Sequence, residues 1–277
     1  MRLIPFALMG LALLTQAAQA EVVYDSIPAS LPTSVPSLGY EATSTAEFGD
    51  AVTLAAGNAR ALTAATVVMT NWAKASSYGQ LGISTGYFVP LTFSLYNFAS
   101  PGPNPVVGSL IASKMIDAFI PWRPEASASC TDDKFMGAQG CVSGLNSLVT
   151  FDFNGESLPN NVIFGLAFNT TDHGYAPTGV AGPYDSLNFG LAGSAANPGV
   201  PSVGTDVNSD GLEWNTSFQD FLTTGVAGTF GPDTEWTPYL PAVRLEAVPE
   251  PASLALLGAG ILGLGAARRR NQAIKRA

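Results

Sequence analysis

Val149-Thr150-Phe151-Asp152-Phe153 and, a little further on, Val162-Ile163-Phe164-Gly165-Leu166-Ala167-Phe168 place an apolar side chain at every second position. Successive side chains of an extended backbone point to opposite faces, so this period marks strands with one face toward a core. The same period recurs from Leu62 to Met69, at Leu91, Phe93 and Leu95, at Leu187, Phe189 and Leu191, and at Val243, Leu245 and Ala247. Between these runs lie loops dense in Gly, Pro, Asn, Asp and Ser, such as residues 100–105 and 193–205, and no stretch carries a sustained helical stripe with caps. The expectation is an all-β domain, a β-sandwich of jelly-roll type. Residues 108–120 leave two readings open, because Leu110, Ile111, Met115, Ile116 and Phe119 fit a helix face as well as a strand.

The chain is 47% hydrophobic and only 12% charged, which excludes a disordered protein. Six of its twelve basic residues, Arg2, Arg268, Arg269, Arg270, Lys275 and Arg276, lie at the two ends, so the middle is strongly acidic. Such a surface repels phosphate backbones and anionic lipid, which removes the main source of nucleic-acid affinity. Cations and neutral glycans are easier partners.

At the amino terminus Met1 and Arg2 precede an apolar run from Leu3 to Leu14, and Ala18-Gln19-Ala20 supplies the small-x-small pattern that signal peptidase accepts. Residues 1–20 therefore read as a signal peptide cleaved before Glu21. As a helix the apolar run is only about 18 Å long, too short for a bilayer core of about 30 Å. Residues 21–49 read as an extended Ser/Pro-rich lead, with Pro28, Pro32 and Pro36 evenly spaced, and residues 50–247 as the β-sandwich domain.

The carboxyl terminus has three parts in fixed order. Val248-Pro249-Glu250-Pro251-Ala252-Ser253 forms a motif over residues 248–253, an apolar stretch runs to Ala267, and Arg268-Arg269-Arg270 opens a basic cluster over residues 268–276. Pro249 and Pro251 forbid helix and hold Glu250 in the extended state that proteases take. Residues 252–267 make a membrane helix about 24 Å long, with snorkelling arginines supplying the remaining span. The arginines stay cytoplasmic by the positive-inside rule, acting as a stop-transfer signal, so the acidic domain faces the periplasm.

This tripartite tail, residues 248–277, resembles the PEP-CTERM sorting signal, a tail also labelled an ice-binding protein C-terminal domain although nothing in its residues recognises ice. The resemblance implies a Gram-negative host, an exosortase-like processing enzyme that cuts in or near Pro-Glu-Pro, and a path from an inner-membrane-anchored precursor to the cell surface or an extracellular polysaccharide matrix. Gly258-Ala259-Gly260-Ile261-Leu262-Gly263 spells a dinucleotide-binding fingerprint, but no acidic residue follows at the required distance before the chain ends. The segments Gly39 to Asp50, His173-Gly174-Tyr175 and Ala181 to Asn188 also resemble a set of exported bacterial β-domains, which implies a folded domain and no activity.

Cys130 and Cys141 lie in the exported part and read as a disulfide, worth about 3 kcal/mol by the chain-entropy argument. Asp206, Asn208 and Asp210 match the first half of a calcium loop, but Ser217 stands where a bidentate Glu is needed, leaving a looser calcium site against a plain polar turn. Trp122, Trp214, Trp236 and Tyr239, and beside them Trp72, offer flat faces for sugar rings, with core or edge packing as the alternative for each. His173 is the sole histidine, preceded by Asp172, and no Gly-x-Ser-x-Gly elbow accompanies it, so it reads as a loop residue and no catalytic residue is assigned.

These readings converge on an exported protein without enzymatic activity, structural or adhesive in role, with exopolysaccharide as a candidate partner. A secreted carbohydrate-active enzyme with an acidic pair and a calcium-stabilised binding module are the alternatives.

Overall fold

The computed structural model describes residues 19–82, 85–100, 105–175, 181–193, 200–208, 211–215, 230–233 and 239–250. In chain order its strands are β1 (Glu21–Asp25), β2 (Ser37–Gly39), β3 (Thr45–Thr53), β4 (Ala59–Asn71), β5 (Gly86–Ser100), β6 (Val106–Pro121), β7 (Phe135–Gly137), β8 (Gly140–Val142), β9 (Leu145–Ser157), β10 (Asn161–Ala167), β11 (Leu187–Gly193), β12 (Thr205–Asp206), β13 (Gly211–Asn215), β14 (Phe230–Asp233), β15 (Tyr239–Pro241) and β16 (Val243–Pro249). A single helical turn, α1 (Tyr40–Thr43), ends at Ser44 in the left-handed region. The fold is all-β. Residues Ala20–Glu250 form one compact unit.

Two seven-stranded sheets hold most of these strands. The first runs β1-β16-β4-β11-β15, with β9 on β4 and β2 on β11. The second runs β14-β13-β3-β10-β5-β6, with β12 on β3, and β7 and β8 make a separate hairpin. All the strand pairings are antiparallel. The chain changes sheet repeatedly: β3 lies in the second, β4 in the first, β5 and β6 in the second, β9 in the first, β10 in the second and β11 in the first.

The core lies between the sheets, where the period-two residues meet. Phe93 of β5 packs against Phe151 and Phe153 of β9 at ring-centroid distances of 5.5 and 6.4 Å, and Phe48 of β3 meets Phe189 of β11 edge-on at 6.2 Å. On β9, Val149, Phe151 and Phe153 are buried while Leu148, Thr150, Asp152 and Asn154 are exposed, so the pattern in the sequence is the pattern in the fold. Each such ring removed from water contributes about 1.5–3 kcal/mol, which is what pins the register.

Residues 108–120 lie in β6, not in a helix. Their partner is β5, in a ladder that starts at Gly86 and Pro121 and includes Phe88 with Phe119 and Thr92 with Met115.

The lead of residues 21–49 is corrected. Regular structure begins at Glu21 rather than near Asp50, because β1 pairs with β16 from Glu21 and Ala247, and β3 starts at Thr45. Only the stretch between β1 and β2 runs as an irregular connector along the domain: Ile27 and Val35 pack with Val68, Ala192 and Ala242, and Asn146 Nδ2 donates to the Pro32 carbonyl at 2.9 Å. The sheet also extends past residue 247, since β16 continues to Pro249.

Candidate functional site

Four features of the domain bear on function: a buried carboxyl under one sheet, an exposed aromatic face on the same sheet, a disulfide-bonded end, and the last strand. The carboxyl is Glu47 of β3. Tyr96 of β5 donates to its Oε1 at 2.8 Å and Tyr175 to its Oε2 at 3.0 Å. Burial pushes the Glu47 carboxyl above its ordinary range, and the two hydroxyls partly offset this. Burial and then the neighbouring Glu47 charge raise both tyrosines. The site exists because residue 165 lacks a side chain: Gly165 is directly paired with Gly49, and a Cβ on Gly165 would stand 2.1 Å from Glu47 Oε1. Such an arrangement can hold a proton, and the sequence signal for it was a lone acid between Ala46 and Phe48 in a stretch read as lead.

Toward the β6 edge the same sheet leaves its outer face in water. Phe88 and Phe119 are 63% and 44% exposed and their rings meet at 5.4 Å; Met115 is 66% and Leu110 55% exposed. Cross-strand pairs put Pro90 beside Asp117, Thr92 beside Met115 and Ser94 beside Ser113. β6 is the last strand of this sheet among the described residues. This face was not anticipated, although Tyr87-Phe88-Val89-Pro90-Leu91 is apolar on both faces of a strand and carried the signal.

Of the aromatic platforms, Trp122 is corrected: only 8% exposed, its ring lies 4.8 Å from that of Tyr87 and stacks on Tyr78 at 5.8 Å. Its backbone N–H donates to the Thr85 carbonyl at 3.2 Å, which extends the β5–β6 end past Pro121 and carries the ring into the core. Trp72 is exposed and Tyr239 half-buried. Trp236 and the Trp214 side chain lie outside the described residues.

Cys130 and Cys141 form a disulfide with a Cα–Cα distance of 5.6 Å, joining the β7–β8 hairpin to the preceding turn. Asp133, in that turn, takes Lys74 Nζ and Arg123 Nη2 at 2.6 Å each, and the Lys74 bond holds its carboxyl below the usual range. Buried Arg123 also donates through Nε to the Trp72 carbonyl at 2.8 Å.

Asp206 Oδ1 accepts the Asn208 backbone N–H at 3.0 Å, the turn geometry weighed against calcium, while Asp210 lies outside the described residues. Among the described residues no three His, Cys, Asp or Glu side chains group as a metal site. The His173 carbonyl accepts the Thr170 N–H at 2.8 Å.

The last strand holds the start of the tail. Val248 pairs with Ala61 and Pro249 with Ala59 on β4, with a register shift between them. Glu250 is exposed, and its Oε1 accepts the Ser157 hydroxyl at 2.6 Å. The family model for the PEP-CTERM protein-sorting motif matches residues 247–270. The chain carries a PEP-CTERM sorting motif. No curated protein and no solved structure matches the chain.

The PEP-CTERM motif marks an exported protein sorted by exosortase toward the cell surface. Its opening residues Val248, Pro249 and Glu250 belong to the folded domain, whereas Pro251, the expected membrane helix over residues 252–267 and Arg268, Arg269 and Arg270 lie outside the described residues. The signal peptide does so too, apart from Gln19 and Ala20, which are exposed. Among the described residues no helix is long and apolar enough to cross a membrane.

Proposed function

We propose that the mature protein acts outside the cell as a structural or adhesive component, without enzymatic turnover, through contact of the β5–β6 outer face with extracellular polysaccharide. The single observation that carries this reading is the exposed, touching ring pair Phe88 and Phe119, with Met115 and Leu110 also exposed further along β6. Soluble proteins seldom leave contiguous apolar side chains in water unless something covers them. Adjacent phenyl rings offer flat surfaces to the C–H face of a pyranose, and Thr92, Ser113 and Asp117 alongside supply donors and acceptors for its hydroxyls. The acidic domain favours a neutral polymer over an anionic one. In this reading the two sheets make a jelly-roll-type sandwich, a rigid frame for a flat binding face.

The test is co-sedimentation of the full chain, solubilised in mild detergent, with an insoluble neutral polysaccharide. The wild type is expected to pellet with the polymer and the double variant Phe88→Ser, Phe119→Ser to bind about tenfold more weakly, a loss of about 1.4 kcal/mol. Equal sedimentation of the two proteins would overturn the assignment to this face, and release of soluble sugar would turn the reading toward a carbohydrate-active enzyme.

A further inference from the structure

We infer that the folded domain restrains its own sorting motif, and that Ser157, outside the motif, is the positioning residue that holds it. The inference rests on the reading of the tail as an exosortase substrate cut in or near Pro-Glu-Pro.

The motif has no spacer. β16 stays paired with β4 through Val248 and, across a register shift, Pro249, so the first proline of Pro-Glu-Pro is also the last residue of a sheet strand. Ala61 of β4 is flanked on one side by Val248 and on the other by Ser157, the last residue of β9. A carboxylate that leaves β16 and accepts from Ser157 therefore reaches past β4, about 10 Å from outer strand to outer strand. Glu250 does this, at 2.6 Å. The next residue after the paired proline is thus drawn back onto the domain rather than away from it.

A protease takes its substrate as an extended strand and needs the backbone groups of the residues it grips. Val248 is already paired with Ala61 of β4, and the glutamate that gives the motif its charge already has a donor. Release proceeds from the outside: Glu250 leaves Ser157, then Pro249, which has no N–H to hold it, and then Val248. The register shift between Val248 and Pro249 makes that end the weakest part of the ladder. One exposed hydroxyl–carboxylate bond is a modest restraint, so its removal raises the population of released motif about two- to fivefold.

The test follows the full chain with a tag after Ala277, co-expressed with an exosortase and pulse-labelled, reading the rate of tag loss and the mass of the new carboxyl terminus. Ser157→Ala is expected to lose the tag about two- to fivefold faster with an unchanged Tm, and Ser157→Thr, which keeps the hydroxyl, to return to the wild-type rate. A Gly-Ser insertion of about four residues between Val248 and Pro249, which frees the motif from the sheet by roughly 13 Å, should also accelerate loss and make Ser157→Ala silent. Tag loss at equal rates from wild type, Ser157→Ala and the insertion would overturn the restraint alone. Retention of the tag by every form would overturn the cleavage reading and the restraint with it.

Discussion

The carboxyl of Glu47 occupies the space that a side chain at residue 165 would fill, since a Cβ on Gly165 would stand 2.1 Å from Glu47 Oε1. Next to it, a Cβ on Gly49 would stand 1.7 Å from the backbone oxygen of Phe164. The two glycines differ in what they protect, a side chain in one case and the main chain of a neighbouring strand in the other.

Gly49→Ala is therefore expected to cost at least about 3 kcal/mol, because a sheet backbone cannot step aside. Gly165→Ala is expected to cost less, about 1–3 kcal/mol, since the Glu47 side chain can rotate away from Tyr96 and Tyr175. Urea denaturation of both variants checks the ranking, and a smaller loss for Gly49→Ala would contradict it.

The raised Glu47 pKa has a consequence for pH. Between the ordinary value of 4.5 and the higher folded value, the native state keeps a proton that the unfolded chain has lost. The unfolded state then binds fewer protons, so this contribution to stability is greatest below 4.5, falls as pH rises through the window and levels off above it. Glu47→Gln removes that dependence. Its stability relative to wild type should rise as pH increases from 4.5 to about 8, measured by urea denaturation, and parallel pH profiles would exclude Glu47 as the source.

Trp122 packs between sheet and turn, so Trp122→Ala should lower stability by about 3–5 kcal/mol. In the polysaccharide sedimentation assay the folded fraction of this variant should bind as wild type does. Loss of binding with unchanged stability would reinstate the ring as a sugar platform.

The disulfide closes a short loop on the β7–β8 hairpin, away from the two-sheet core. Replacing Cys130 and Cys141 together by Ser should cost about 2–3 kcal/mol and speed hydrogen exchange in residues 127–142, leaving the amides of β4 and β10 protected until global unfolding. Uniform loss of protection across all strands would mean that the bridge supports the whole domain.

The strands that bury one face were legible: β9 and β5 show in the sequence as alternating side chains because one side of each meets core and the other does not. β3 was not legible for the opposite reason. All its residues from Thr45 to Val52 are buried, with Glu47 and Asp50 among them, so no alternation survives to be read. β1 is short and gains its order from β16, more than two hundred residues later, a pairing that no local pattern encodes. Trp122 sits between Pro121 and Arg123-Pro124, which reads as a loop, and only the aromatic neighbours Tyr78 and Tyr87 bring it inside.

The sequence by itself determined the all-β class, the disulfide partners and the PEP-CTERM motif, because each depends on residues close together in the chain: an alternation, two cysteines in one loop, a proline-bracketed glutamate. Only the tertiary structure decided that Phe88 and Phe119 share an exposed face, that Glu47 is closed under two tyrosines, and that Glu250 is held by Ser157. Each of these joins residues that are not neighbours in sequence, and it is the register of antiparallel pairing, fixed by burial of the phenylalanine core, that sets which side chains meet.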